Sequence, residues 1–197
     1  MRVNAETKVA TRRRILEAAR ARFSQVGFEA ATTREIASDA GIATGTLFNY
    51  FPSKEAIVLA MVAEALGEAR QRAEGRRKGE SLEEDLFGLI AAELRSLRPH
   101  RPYLRPVLET ALSPLASATV SPDAEAVRVD HLEAVGRLVA ARSGQESLTP
   151  VELNLYWTLY TGVLAFWAGD TSPKQEETLA VLDHYLRAFA GSLHQAE

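Results

Sequence analysis

Apolar residues recur along most of this chain at intervals of three and four, which is the spacing of one face of an α-helix. The pattern therefore predicts an all-α fold. Gly27 is expected to end the first helix, and residues 74–80 and 113–121 are expected to connect helices. The last two helices are expected to begin with a cap, Thr149 with Glu152 and Ser172 with Gln175. Helices are expected near residues 7–26, 32–40, 44–51, 53–73, 82–97, 102–112, 122–138, 150–168 and 173–193.

The second and third of these helices are short, and a glycine separates them. Ile36 and Ala37 give the first one an apolar face, and Gly41 ends it. Leu47 and Phe51, four residues apart, give the next one a face that must pack on the first. This spacing is typical of a helix-turn-helix, whose second helix reads DNA in the major groove.

A helical wheel separates the two sides of that second helix. At about 100° per residue, Gly45 and Asn49 lie almost opposite the buried Leu47. Asn can bind adenine through two hydrogen bonds, and a Thr methyl or a Phe edge can contact a thymine methyl. The residues predicted to face outward are Gly45, Thr46, Phe48 and Asn49, with Thr44 at the N-terminal end and Tyr50 on the shoulder.

Two helix N-termini carry capping residues and neighbours suited to phosphate. Thr32 followed by Glu35 is a capping box, and Thr33 lies in the same first turn. Ser53 is a good N-cap, and Lys54 follows it within reach of a phosphate. The residues Arg12–Arg14 either reach phosphates or form a solvated start to the first helix, and the sequence leaves both open.

These motifs resemble the DNA-binding domain of the TetR family of transcriptional regulators over about residues 8–58. The resemblance is carried by Gly41, Thr46-Leu47, the aromatic residues around Tyr50-Phe51, Pro52 and the segment Ser53–Ala56. It implies an all-helical homodimer with a C-terminal ligand-binding domain, and usually repression that a ligand relieves. It also implies DNA contacts at Thr33, Thr44, Thr46, Phe48, Asn49, Tyr50 and Lys54.

Three positions depart from the pattern that is common in this family. Phe48 stands where a tyrosine is common, so that it has no hydroxyl for a phosphate. Asn49 stands where histidine is frequent, and Ala43 replaces a common serine cap. These departures bear on which bases are preferred, and they leave the DNA-binding role intact.

The remaining helices predict a ligand-binding and dimerisation domain over residues 53–197, after a DNA-binding domain over residues 1–52. The helix near 150–168 is apolar nearly all round and must be covered on several sides. A four-helix contact between two copies is the favoured interpretation, and a core filled within one chain is the alternative. The last helix offers Leu179, Leu182, Leu186, Phe189 and Leu193 for dimerisation.

Amphipathic side chains on otherwise apolar helices are the candidates for an effector site. Core packing is the alternative for each, and an apolar or aromatic ligand with one or two hydrogen-bonding groups is expected. The candidates are Tyr103, Val107, His131, Tyr156, Trp157 and Tyr160.

Composition narrows the class of protein further. Residues 1–55 contain nine Lys or Arg and six Asp or Glu, a net charge of +3 that leaves −6 for the rest of the overall −3. A basic head suits a polyanion. The chain has no cysteine and no apolar run of the length a membrane span needs, so we expect a cytoplasmic protein without disulfides.

An enzyme is the main rival class. None of the four histidines follows a Glu by three residues, and no HExxH, P-loop or Gly-rich dinucleotide motif occurs. We therefore predict no catalytic residue, no metal site and no cofactor. A protein-interaction module with an unused head is a second alternative. The favoured prediction is a ligand-responsive regulator, most simply a repressor, that binds a palindromic operator as a dimer and is released by a small molecule.

Overall fold

The computed structural model describes residues 5–74, 79–107, 122–143 and 147–193, and the regular structure in these ranges is helical. This confirms the predicted all-α fold. One 3₁₀ turn, Arg98–His100, precedes α6, and another, Pro173–Gln175, precedes α9. The helices are α1 (Ala5–Val26), α2 (Thr33–Asp39), α3 (Thr44–Phe48), α4 (Lys54–Glu74), α5 (Leu82–Leu97), α6 (Arg101–Val107), α7 (Pro122–Ser143), α8 (Pro150–Gly169) and α9 (Glu176–Leu193).

The chain divides into two compact units, Met1–Met61 and Val62–Glu197. We call the first the head and the second the body. The division falls inside α4, so that the two ends of this helix belong to different units. The predicted connection at 74–80 and loop at 113–121 lie largely or wholly outside the described residues.

The core of the head forms around α1. Ile15, Ala19 and Phe23 recur on one side of this helix and are at most 4% exposed. Gly27 ends the helix with a φ of +82°, a left-handed conformation in which glycine avoids a Cβ clash. The ring of Phe28 then folds back to 5.3 Å from the ring of Phe23. The predicted C-terminal glycine is thus confirmed.

The core of the body is formed by α5, α8 and α9, whose apolar stripes meet. Leu86 and Ile90 of α5, Val163 of α8, and Leu182 and Phe189 of α9 are at most 1% exposed. None of the helices in the described ranges combines the length and the apolar character needed to cross a membrane.

The buried stripe of α9 corrects one sequence-based assignment. Leu182, Leu186 and Phe189 are at most 3% exposed within a single chain, and they line a small cavity together with Ile90 of α5 and Tyr156 of α8. They therefore fill the core of one body instead of forming a subunit contact, which was the alternative left open. Of the other residues assigned to this seam, Leu179 is 39% exposed and Leu193 is half-buried.

The start of α9 also differs from the prediction. A cap at Ser172 with Gln175 as its third residue was expected, but Lys174 and Gln175 adopt left-handed conformations and α9 begins only at Glu176. The cause is Asp170, whose carboxylate accepts hydrogen bonds from the Ser172 and Thr178 amides at 2.7 and 3.0 Å. This carboxylate competes with the local capping pattern and holds the turn.

Candidate nucleic-acid interface and effector region

The N-terminus of α2 has the predicted capping box. The Glu35 amide donates to the Thr32 hydroxyl at 3.2 Å, and the Thr32 amide donates to the Glu35 carboxylate at 3.0 Å. Hydrogen bonds from Thr32, together with the nearby charge of Arg22, lower the pKa of the Glu35 carboxyl. Thr33 is half-buried in this capped first turn, where free amides suit a phosphate.

An ion pair ties α1 to α2. The Arg22 guanidinium donates to one oxygen of Asp39 through Nε at 3.0 Å and through Nη2 at 2.6 Å. Its Nη1 also lies 3.9 Å from the Glu35 carboxylate. One arginine therefore contacts both ends of the seven-residue α2, which fixes the helix against α1.

The turn between α2 and α3 depends on Gly41, whose φ is +66°. The Gly41 amide donates to the Ser38 carbonyl at 3.0 Å, and the Ile42 amide donates to the Ala37 carbonyl at 3.0 Å. These bonds reverse the chain within a few residues. The predicted turn glycine is confirmed, and the buried Ile36 and Ala37 face the following helix as expected.

The exposure of α3 follows the predicted wheel. Leu47 and Phe51 are fully buried, whereas Phe48 is 48% exposed. A large aromatic side chain at the surface of so short a helix has little to gain from folding. Among the other residues assigned to DNA, Gly45 and Asn49 are exposed, and Thr44, Thr46 and Tyr50 are half-buried.

The recognition helix α3 is shorter than the stretch Thr44–Tyr50 assigned to it. The α-helix ends at Phe48, although the Asn49 amide continues the turn by donating to Thr46 at 3.2 Å. Its N-cap is Ala43, which supplies no side-chain hydrogen bond. Because a helix of five residues without a cap is not stable by itself, packing of Leu47 holds α3 in place.

Lys54 has a role that its position in the sequence did not indicate. Its ammonium donates to the carbonyls of Phe28, Glu29 and Ala31 at 2.6, 3.3 and 3.0 Å. It also lies 4.4 Å from the centre of the Phe28 ring. An ammonium has three donors, so the loop between α1 and α2 uses all of them. We therefore reinterpret Lys54 as a residue that positions this loop.

The structure gives each of the three arginines at the start of α1 a contact within the head, and it tests neither of the two open interpretations. The Arg12 guanidinium lies 4.7 Å from the centre of the Phe51 ring, which gives it a packing role in the head. Arg13 pairs with Glu17 along the exposed face of α1 at 3.7 Å. The Arg14 guanidinium is bonded to the Thr11 hydroxyl at 3.5 Å.

In the body, four of the six predicted effector residues come together around His131. Its ring stacks on Tyr160 with centroids 3.9 Å apart, and Trp157 meets it edge-on at 6.2 Å. Its Nε2 lies 3.1 Å from the Tyr156 hydroxyl. His131, Tyr156, Trp157 and Tyr160 are all at most 4% exposed, so the core-packing interpretation describes them in this structure.

Glu93 of α5 is the centre of this cluster, and the sequence pattern did not reveal it. Its fully buried carboxylate accepts from His131 Nδ1 at 2.9 Å and from the Tyr160 hydroxyl at 3.0 Å. Arg70 of α4 supplies the opposite charge at 3.4 Å and also contacts Asp130 at 3.4 Å. Each buried polar group thus has a partner, as a low-dielectric interior requires.

The cluster leaves little room for a ligand. The cavity beside Tyr156 and Tyr160 measures about 10 Å³, roughly the space of one water molecule. Burial, together with the Glu93 charge, raises the pKa of both tyrosine hydroxyls well above the ordinary value. Both therefore remain protonated and act as neutral hydrogen-bonding groups.

The two remaining effector candidates lie on α6, away from that cluster in the chain. Tyr103 is 5% exposed, and its hydroxyl lies 2.8 Å from His100 Nδ1. Val107 is the last residue of α6, and its side chain lies outside the described residues. No single site that contains all six candidates is therefore described.

The geometry of the head defines a helix-turn-helix protein of the DNA-binding class. Residues 15–61 match the family described as bacterial regulatory proteins, tetR family. The head is therefore similar to the DNA-binding domain of the TetR family of transcriptional regulators, as the sequence predicted. The class of regulators is thereby favoured over the class of enzymes.

Relatives of known name match mainly the head. The chain is 42% identical over 69 residues to the transcriptional regulator UidR of Escherichia coli, which covers 33% of this chain and 35% of that protein. It is 44% identical over 52 residues to the transcriptional repressor KstR of Rhodococcus jostii, covering 26% and 24%. The chain thus spans about a third or less of the length of these relatives.

Solved structures extend the similarity of fold to the body. Thermus thermophilus FadR, a TetR-family transcriptional repressor solved with lauroyl-CoA, aligns at a TM-score of 0.68 and 25% identity over 91% of this chain and 93% of that one. A TetR regulator from Rhodococcus sp. RHA1 aligns at a TM-score of 0.70 and 21% identity over 92% and 97%. The helical fold of the chain, including its body, is therefore similar to the fold of these TetR-family structures.

Proposed function

We propose that this chain is an operator-binding transcriptional regulator, most simply a repressor. The observation that carries the proposal is the two-sided segment 44–51, which consists of α3 and the three residues after it. Leu47 and Phe51 of this segment are buried, whereas Phe48 and Asn49 lie at the surface. Folding explains the first pair, and base contact explains the second. The relatives UidR and KstR are themselves DNA-binding regulators of this type.

Within this proposal, base and phosphate contacts fall to different residues. Asn49, Thr46 and Phe48 would meet base edges in the major groove, where Asn is suited to adenine. Thr33, Thr44 and Tyr50 carry hydroxyls suited to phosphates, and Gly45 lets the backbone approach closely. The capped N-terminus of α2 adds amides and a positive helix end. Affinity would then fall with increasing salt.

We propose a homodimer that uses the outward faces of α8 and α9. The exposed stripe of α8 includes Leu155 and Phe166, which are 37% and 41% exposed, and small residues on α9 permit close approach. This assignment replaces the buried stripe of α9. The two α3 helices would enter successive major grooves of a palindromic operator, about 34–36 Å apart. The exposed positions of α9 on this side are Ala180, His184, Ala188 and Gly191.

We further propose that a small molecule bound in the body weakens operator binding. The complex of FadR with lauroyl-CoA supports ligand binding in a protein of the same fold. Because α4 has residues in both units, it is the element through which a change in the body reaches the head. Shifting operator occupancy from 99% to 1% takes about 5.5 kcal/mol of differential binding.

We also propose a cytoplasmic location, because the protein must reach its operator DNA.

A mobility-shift assay against fragments of the source genome tests this function. We expect at least one fragment to be retained in excess nonspecific competitor, with an affinity that decreases as salt increases. If every fragment is released by competitor alike, the operator proposal fails. That outcome would favour a protein-interaction module, the alternative that the sequence left open.

A further inference from the structure

A cleft of about 190 Å³ lies in the body where α5, the end of α8 and the start of α9 meet. It is separate from the small cavity at Tyr156 and Tyr160. Ala91, Leu94 and Leu179 give it an apolar side. For comparison, a cavity of about 150 Å³ in another protein accommodates benzene. The cleft therefore has room for a small organic molecule.

Three cations surround this cleft. Arg95, Arg98 and Lys174 all contribute to its wall and are exposed. In the part of the chain that the structure describes, none of the three is in a salt bridge. The wall therefore presents positive charge that is not in an ion pair within the described residues.

Trp167 adds a buried hydrogen-bond donor to the same wall. It is 1% exposed and lines the cleft, and its indole Nε1 is buried without a hydrogen-bond partner among the described residues. Leaving a buried donor unpaired costs free energy, and native proteins seldom do so without a reason. An acceptor on a bound molecule supplies such a reason.

The turn before α9 holds its residues at the cleft in an unusual backbone conformation. Lys174 and Gln175 have φ values of 54° and 61°, in the left-handed region that non-glycine residues seldom occupy. Two consecutive residues of this kind are strained, and such strain clusters at ligand sites. Their side chains line the cleft as a result.

We propose that this cleft binds a small amphipathic carboxylate, such as an aromatic or short-chain acid. The carboxylate would pair with Arg95 and Arg98, which offer planar guanidinium donors, and with Lys174. The apolar part would lie against Leu94 and Leu179. The Trp167 indole would donate to an acceptor on the ligand. The interpretation of the cleft as the effector site rests on the proposed function. Binding of a carboxylate to the cleft can be measured without DNA.

The cleft and the proposed dimer face lie on opposite sides of α9. At about 100° per residue, Leu179 of α9 points roughly 140° away from His184, which is on the outward stripe. Dimerisation through that stripe therefore leaves the cleft accessible. Variants in the cleft should accordingly leave the oligomeric state unchanged.

Isothermal titration of the full-length protein with benzoate tests the site, with benzyl alcohol and inorganic phosphate as comparison probes. We expect benzoate to bind, and the two comparison probes to bind at least about tenfold more weakly, because each lacks the charge or the apolar part. If benzoate does not bind at millimolar concentration, or if phosphate binds equally well, the proposal is overturned.

A matched pair of glycine variants then tests the role of charge in the cleft. Lys174→Gly and Gln175→Gly both relieve a left-handed residue, but only the first removes a cation. We expect Lys174→Gly and Arg95→Gln to weaken benzoate binding about tenfold and Gln175→Gly to retain it. Arg20→Gln, on the exposed surface of α1, should have no effect. Equal binding by Lys174→Gly and Gln175→Gly would contradict the assignment.

A conservative variant tests the indole donor. Trp167→Phe keeps an aromatic ring and removes Nε1, and we expect it to lose about 2- to 10-fold in benzoate affinity. Unchanged affinity in this variant would remove the indole from the site. If all these variants still bind the operator in the absence of benzoate, a loss of benzoate affinity is due to the change in the cleft. If the unmodified protein binds no operator, that result counts against the proposed function and not against the cleft.

Discussion

The α3 surface in the head and the Glu93 cluster in the body place similar side chains in opposite surroundings. In the head, Phe48 is exposed at the end of a helix of five residues, and Asn49 is exposed directly after it. In the body, Glu93 and His131 are fully buried and bonded to each other at 2.9 Å. We propose that the first set contacts an external partner. The second is satisfied internally and specifies how the helices of one body pack.

This contrast separates a binding surface from a structural core. Exposed polar groups are solvated and available to DNA at little cost in folding free energy. The buried groups lose solvation and depend on every partner remaining in place. Substitutions in the two regions should therefore change different measurements: stability for the cluster, and affinity for α3.

The largest effect on stability is expected at Glu93. Glu93→Ala removes the acceptor of His131 Nδ1 and leaves the buried Arg70 with only the exposed Asp130 as a partner, and we expect a loss of about 3–5 kcal/mol in the free energy of unfolding. Urea titration followed by circular dichroism measures it. Glu133→Ala, at an exposed position on α7, should stay within about 0.5 kcal/mol. A similarly small loss at Glu93 would contradict the structural role of the cluster.

The next effect is expected on the oligomeric state. Phe166→Glu places a charge in the proposed dimer face of α8, and we expect monomers because burying an unpaired charge costs at least about 2 kcal/mol. Val129→Glu on α7 is a matched control, since both residues are 41% exposed. Light scattering measures the mass of each variant. A dimer that persists in Phe166→Glu would place the interface elsewhere.

Two glycines of the helix-turn-helix should respond with opposite signs. Gly41→Ala puts a Cβ on a left-handed residue, and we expect it to destabilise the head by about 1–2 kcal/mol. Gly45 is helical with open space around it, so Gly45→Ala should stabilise by up to about 1 kcal/mol while weakening operator binding. Thermal unfolding measures the change in stability, and operator titration measures the change in affinity. Stronger operator binding by Gly45→Ala would contradict a close approach of the backbone to DNA at this residue.

The smallest effect is a pH dependence from Asp170. Hydrogen bonds from Ser172 and Thr178 lower the pKa of its carboxyl well below the usual range. Because the folded-state pKa is depressed, the stabilisation is present above the unfolded pKa of about 3.9 and is lost as pH falls below it. The stability difference between wild type and Asp170→Asn should shrink from about pH 6 to pH 3. A difference that is independent of pH would contradict this assignment.

The sequence predicted the head well because its structure depends on near neighbours. Contacts between residues three or four positions apart can be predicted from the sequence pattern. Such contacts form the Thr32–Glu35 box, the glycine turn and the buried side of α3. The same holds for Thr149 and Glu152 at the start of α8. The role of Lys54 was missed because its partner carbonyls lie 23 to 26 residues away.

The body was predicted less completely for the same physical reason. Glu93 meets His131 and Tyr160 across 38 and 67 positions, and no local pattern connects them. The apolar stripe of α9 was recognised, but periodicity does not distinguish the core of one chain from a contact between two chains. At Ser172, the hydroxyl accepts from the Glu177 amide and not from Gln175, and the Asp170 carboxylate, just outside the motif, binds the Ser172 amide.

The most direct test of the central claim is the effect of Asn49→Ala on specific and nonspecific DNA binding. Fluorescence anisotropy with an operator found by mobility shift, and with a scrambled duplex of equal length, measures both affinities. We predict a loss of about 1–3 kcal/mol for the operator and nearly none for the scrambled duplex. Gln25→Ala, another exposed amide in the head, should change neither. An equal loss on both duplexes would contradict base reading by α3.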